Sequence, residues 1–234
     1  MDGGGAPAAR ERDRLDADRQ DSPFRFRGRV PQQQFGTLIN SRPSAESGWS
    51  EGRGRNFGVV GVTPYTDAEL GGIADPEFEQ HFLVSPYKLQ LIVSAAGICA
   101  TDAVVELGAG VGTVARHLPS CRSLTLIELD RRLIEQLRHT VPHAVVIQGD
   151  ALALLDSLSV DVLVSNLPNR TTADLLEMLP ALELRTAIVT MSEVSAREPA
   201  PPGYVAELVT TIGGDDFSPP QPSTSTVVRL TRSP

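Results

Sequence analysis

The segment Val104–Thr113, VVELGAGVGT, narrows the folds open to this chain more than any other. An apolar β-run ends at Glu106-Leu107, glycines follow at 108, 110 and 112, and a helical pattern resumes at Val114, Ala115 and Leu118. Glycines at a strand-to-helix turn let the backbone bend tightly and let a ligand approach the amides of a helix N-terminus. Alone, such a turn fits NAD, FAD or S-adenosylmethionine (SAM), and sometimes only a sharp bend. The surrounding chain has to discriminate among them.

Upstream, Ser85 stands at a helix N-cap, with Pro86 at the first helical position. Leu89, Ile92, Val93 and Ala96 line one helical face, and Gly97 sits where a C-cap glycine would. Downstream, a strand at Leu124–Ile127 ends at Glu128, and the amphipathic stretch DRRLIEQLRHTV stops before Pro142. A strand at Ala144–Ile147 leads to Gly149-Asp150, and another at Val160–Val164 leads to Ser165-Asn166-Leu167-Pro168. A helix over Thr171–Leu179 and a strand at Ala187–Thr190 follow. Alternating strands and helices predict an α/β fold: a Rossmann-like, mostly parallel, doubly wound sheet. Tyr204–Ile212 and Thr226–Leu230 flank a Gly-, Asp- and Pro-rich turn and predict an antiparallel hairpin at the sheet edge.

Residues 1–58 read as an Arg- and Gly-rich arm, partly disordered, ahead of a domain over 59–234 that opens with a strand at Val59–Val62. Within the arm, FRFRGRV alternates Phe24, Phe26 and Val30 with Arg25, Arg27 and Arg29. It reads as a β-segment offering arginines to a substrate, or as a loose tail anchored by its aromatics. Net charge is −8 and uneven: residues 61–234 carry 11 basic against 21 acidic side chains. Proteins that grip nucleic acid draw affinity from neutralising phosphates, so this balance counts against such a partner. Cys99 and Cys121 form no C-x-x-C pair, and His117, His139 and His143 offer no metal-ligand spacing. No apolar run is long enough to span a bilayer, and no leader pattern stands at the N-terminus; a cytoplasmic protein is expected.

In an open α/β sheet the ligand lies at the carboxyl ends of the strands. Four such ends here carry Gly108 with Gly110, Glu128, Asp150 and Asn166. The glycines would admit a cofactor's methionine part, Glu128 both ribose hydroxyls, and Asp150 an adenine amino group. Asn166 and its Leu-Pro neighbours would sit where a transferred group emerges. NAD also uses an acid about 20 residues beyond the first glycine. Against NAD, Thr113 stands where a third loop glycine would be, and an acidic site suits a sulfonium better than a pyrophosphate. The plainer readings are a helix-start carboxylate at Glu128 and an N-cap at Asp150.

QHFLVSP, VVELGAGVGT, LIELDRRL, VIQGDAL, SNLP and FSPPQPSTSTVVRL resemble, in order and spacing, the rRNA adenine N6-methyltransferases, the dimethyladenosine transferases and macrolide-resistance methylases. The resemblance runs from about Gln80 to Leu230. It implies a SAM-dependent methyltransferase with His81, Leu83, Gly108, Glu128, Asp150 and Asn166 as SAM contacts. Asn166 would also hold the acceptor amine, helped by the Leu167 carbonyl. Three departures concern RNA. Asn169 replaces the aromatic residue that follows N-L/I-P in the family. The loop DPEFEQHFL, with Asp75, Glu77 and Glu79, replaces a basic one. The family's helical C-terminal domain has no counterpart before Pro234. A small-molecule acceptor, such as a natural-product intermediate, is therefore expected first, with ribosomal RNA as the alternative. A SAM-binding protein without catalysis comes third.

Overall fold

The computed structural model describes residues 65–234. The arm expected over 1–58 and the strand expected at Val59–Val62 lie outside them. In chain order the described elements are α1 (Asp67–Ile73), β1 (Phe82–Leu83), α2 (Pro86–Ala96), β2 (Ala103–Leu107), β3 (Ser123–Glu128), α3 (Ile134–Thr140) and β4 (Val145–Gln148). They continue as α4 (Ala151–Leu155), β5 (Val162–Ser165), α5 (Asn169–Met178), β6 (Thr186–Ser192), β7 (Tyr204–Ile212), β8 (Phe217–Ser218) and β9 (Ser225–Arg232).

Seven strands form one sheet in the order β4-β3-β2-β5-β6-β9-β7. The first five are mutually parallel, and β9 runs antiparallel to both β6 and β7. The chain winds outward from β2 through β3 to β4, then returns to β5 on the other side of β2. That reversal is the switch point at which an open α/β sheet parts to admit a ligand. The two C-terminal strands do make an antiparallel hairpin, but its second strand inserts against β6 and leaves β7 at the edge.

Burial explains the sequence pattern of each strand. β2, β5 and most of β6 are buried along their length, so they read as continuous apolar runs. Side chains still alternate between faces. Val104, Val162, Val164 and Ile188 join Leu89, Ile92 and Ala96 of α2 in one core cluster. Val105, Leu107, Leu163 and Val189 join Leu155, Leu175 and Leu179 in the other. β4, near the opposite margin, is half exposed.

Several local expectations need correction. The glycine loop leads only into a 3-10 turn, Ala115–His117, because Pro119 leaves no length for an α-helix. The helix expected from Asp130 is broken into a 3-10 turn, Arg131–Leu133, and α3. Asp130 caps that turn by accepting from the Arg132 amide at 2.9 Å. α1 and β1 are among the elements that carried no strand or helix expectation. α1 starts with a capping box between Thr66 and Glu69, a Thr-x-x-Glu signal present in the sequence. β1 pairs antiparallel with β8, Phe82 opposite Ser218 and Leu83 opposite Phe217, far along the chain. Leu70, Phe82, Val111 and Leu133 form a third, small cluster that ties α1 and β1 to the glycine loop.

Among the described residues no helix is long and apolar enough to cross a membrane.

Candidate active site

A cleft of about 790 Å³ opens at the carboxyl ends of β2, β3, β4 and β5. Gly108 and Gly110 line it from the loop after β2, Glu128 and Leu129 from the end of β3, Asp150 from the end of β4, and Asn166 and Leu167 from the end of β5. The loop from Pro76 to Phe82 and part of the segment from Phe217 to Ser225, joined to each other through β1 and β8, complete its lining.

Gly108 and Gly110 take left-handed φ values of +68° and +57°, which side chains rarely adopt. Neither has space for a Cβ. One on Gly108 would stand 2.6 Å from Leu167 Cδ2, and one on Gly110 would stand 2.9 Å from Phe82 Cε1. Phe82 and Leu167 thus close directly on the two glycines, and all three line the cleft beside the loop backbone.

Glu128 is oriented by two amides. The Gly110 N–H donates to Oε2 at 2.7 Å and the Asp130 N–H donates to Oε1 at 2.8 Å. Each carboxylate oxygen keeps a second lone pair for a ligand. Burial pushes the Glu128 carboxyl above the usual glutamate range, and the donated amide hydrogens only partly offset this. Asp130 in turn ties the rim loop to β3. It accepts from Gln80 Nε2 at 3.1 Å and pairs with Arg132 at 2.6 Å, and Arg132 also reaches Asp75 at 2.9 Å. Hydrogen bonds from Arg132 hold the Asp130 carboxyl below its usual range.

Glu106 was not singled out from the sequence. It is 3% exposed, lines the cleft, and its Oε2 has no hydrogen-bond partner among the described residues. Burial raises its carboxyl well above the usual range, and the neighbouring Glu128 charge raises it further. The available signal was an acidic residue inside an apolar run that the sheet buries on both faces.

Asp150 does cap α4, its Oδ1 accepting from the Leu152 and Ala153 amides at 2.9 and 3.2 Å, and it faces the cleft as well. Asn166 stands on the cleft wall. The Leu167 carbonyl accepts from the Thr172 hydroxyl at 3.1 Å. His81 lines the rim, and its Nδ1 lies 2.9 Å from the Pro219 carbonyl, which requires the proton on that nitrogen. Leu83 is not brought to the cleft. Its side chain is 1% exposed within the core, because alternation along β1 sends Phe82 toward the glycine loop and Leu83 inward. Asn169 and Arg170 line the cleft at the start of α5. No group of three or more His, Cys, Asp or Glu among the described residues could hold a metal ion.

The donor set suits an adenosine-bearing sulfonium: a doubly anchored carboxylate for a ribose diol, a buried Glu106 carboxyl oxygen with no partner among the described residues for a cationic group, and a glycine loop that lets a ligand come close to its backbone. A parallel, doubly wound sheet with this cleft at its switch point and an antiparallel C-terminal edge defines the Rossmann-like, SAM-dependent methyltransferase class. Residues 74–234 match the family model for ribosomal RNA adenine dimethylase, and the chain belongs to that family.

It is 30% identical over 181 residues to the ribosomal RNA small subunit methyltransferase A of Gloeobacter violaceus, covering 67% of this chain and 66% of that one. To the protein of the same name from Acaryochloris marina it is 32% identical over 191 residues, covering 67% and 70%. The chain thus spans roughly two thirds of these curated relatives. Among solved structures it resembles a dimethyladenosine transferase from Plasmodium falciparum, with TM-score 0.60, 23% identity, and 65% and 64% of the two chains covered. It also resembles the 23S rRNA methyltransferase ErmE, with TM-score 0.58, 24% identity, and 65% and 70% covered. At such identities these two likenesses speak for the fold.

Proposed function

We propose that this chain moves the methyl group of SAM onto the amino nitrogen of an adenine in ribosomal RNA. The observation that carries the proposal is the convergence of Glu128, Asp150, Asn166 and the glycine loop on one cleft, from strand ends remote in sequence. The family model and the names of the curated relatives favour RNA over the small-molecule acceptor expected from the sequence.

When bound, SAM supplies a methyl group on a sulfonium that an amine lone pair displaces in line. The protein's own contribution is alignment and charge. Glu128, anchored by two amides, would accept from the ribose hydroxyls. Asp150 would accept from the adenine amino group of the cofactor, and Glu106 would offer its unpartnered oxygen to a cationic group. The Asn166 side-chain oxygen and the Leu167 carbonyl would take the two hydrogens of the acceptor amine. The nitrogen lone pair would then point at the methyl group.

A second reading, a small-molecule amine as acceptor, is supported by the rim. Glu77 and Glu79 line the cleft mouth, where a phosphate backbone would meet repulsion. Asn169 also gives up the stacking face that an extruded base uses, worth about 1–3 kcal/mol.

The test is transfer of radiolabelled methyl from SAM to unmodified small-subunit ribosomal RNA and, separately, to a set of amine-bearing metabolites. Label on adenine that is lost with Asn166→Ala supports the first reading. Label on metabolites alone supports the second. SAM binding without transfer to either would overturn both.

A further inference from the structure

Thr172 is 1% exposed, in the first turn of α5, and it does not line the cleft. A threonine within a helix commonly turns its hydroxyl back to the carbonyl four residues earlier. Here the Thr172 amide makes the ordinary helical bond to that carbonyl, on Pro168, at 2.9 Å, and the hydroxyl does not share it. The hydroxyl reaches one residue further, to the Leu167 oxygen at 3.1 Å. No other group among the described residues donates to that oxygen. Pro168 stands at the N-cap position and has no side chain able to do this work.

We propose that Thr172 is a positioning residue for methyl transfer, its hydroxyl holding the Leu167 carbonyl in the direction that receives the acceptor amine. The inference rests on the reading of that carbonyl as the amine's partner. A carbonyl oxygen has two lone pairs, and with one filled by Thr172 it presents the other to the cleft. Pro168 already confines the ψ torsion of Leu167 to the extended region, a range of about 40° within which the peptide plane between them can still turn. The Leu167 side chain is already confined against Gly108, so the hydroxyl supplies the constraint that is missing. Thr172 reaches the reaction only through Leu167.

The chain contains three Leu-Pro bonds, at Leu118-Pro119, Leu167-Pro168 and Leu179-Pro180. Protein labelled with carbonyl-13C leucine and 15N proline therefore yields three directly coupled carbonyl signals. Thr172→Val, which keeps shape and loses the hydroxyl, should shift one of them. It should lower kcat for labelled methyl transfer to small-subunit ribosomal RNA about tenfold or more, since misplacement of reacting groups is costly. The calorimetric affinity for SAM should stay within about twofold. Thr172→Ser should keep both the signal and the rate.

Unmoved carbonyl signals in Thr172→Val would overturn the proposal, as would a shifted signal with unchanged kcat. Equal impairment in Thr172→Val and Thr172→Ser would assign the effect to packing and overturn it too. If the wild-type protein binds SAM but methylates no RNA, the functional reading and the positioning role built on it both fall. The carbonyl shift would then report the hydrogen bond alone.

Discussion

Leu167 occupies the space that a side chain on Gly108 would need, its Cδ2 standing 2.6 Å from where a Cβ would be. β2 and β5 are paired up to Leu107 and Ser165, so the two loops leave the sheet side by side. The glycine loop and the Asn-Leu-Pro segment therefore cannot shift independently. A change on one side of the cleft is felt on the other.

Gly108→Ala tests that contact. The left-handed φ alone costs a non-glycine residue about 1–2 kcal/mol, and Leu167 must also move. Thermal unfolding should show a loss exceeding that of Gly97→Ala. Gly97 has a similar φ of +56°, but a Cβ there would meet nothing closer than 4.0 Å. Calorimetry should show weakened SAM binding only in the Gly108 variant.

Glu106 makes stability depend on pH in a specified direction. Its folded-state carboxyl is raised by burial and by Glu128, so the fold holds that proton more tightly than the unfolded chain does. Stability from this group is full below the unfolded value of about 4.3 and is lost as pH rises through the raised folded value. Glu106→Gln removes the loss. Denaturant unfolding across a pH series should show the variant gaining on the wild type as pH rises, with no difference near pH 4. SAM affinity at neutral pH should fall in the same variant.

Glu79 sits at φ +50° with an ordinary L side chain. Glu79→Gly should stabilise the protein by about 1 kcal/mol, because glycine carries no Cβ penalty in that region. The denaturant midpoint measures this. A midpoint lowered by the substitution would mean that the Glu79 side chain makes contacts worth more than the strain.

The rim charge separates the two acceptor readings. Glu77→Lys combined with Glu79→Lys should raise affinity for small-subunit ribosomal RNA at low salt. It should also steepen the dependence of log K on log salt by up to about two, the counterion release expected of two new phosphate contacts. RNA affinity that ignores these charges would place RNA away from the rim.

Much of the fold was legible because it is written in local patterns. The apolar run of β2, the glycine turn, the Ser85-Pro86 helix start and the Gly97 stop are short-range signals, and each appears where the sequence placed it. The acidic and amide residues at strand ends were legible for a related reason. A strand's apolar run marks where it stops, so Glu128, Asp150 and Asn166 could be placed before any strand was paired. Glu106 was missed because its meaning lies in what surrounds it. The same residue type on an exposed strand would be an ordinary surface carboxylate.

The sequence by itself determined the α/β class, the strand ends and the residue types gathered there, since periodicity and capping act over a few residues. Only the tertiary structure decided which strands are neighbours, that β9 lies between β6 and β7, and that β1 finds β8. It also decided that Leu83 turns into the core while Phe82 closes on the glycine loop, and that Thr172 holds the Leu167 carbonyl. Those outcomes depend on hydrogen-bonding groups and volumes contributed by distant segments, and no local pattern carries that information.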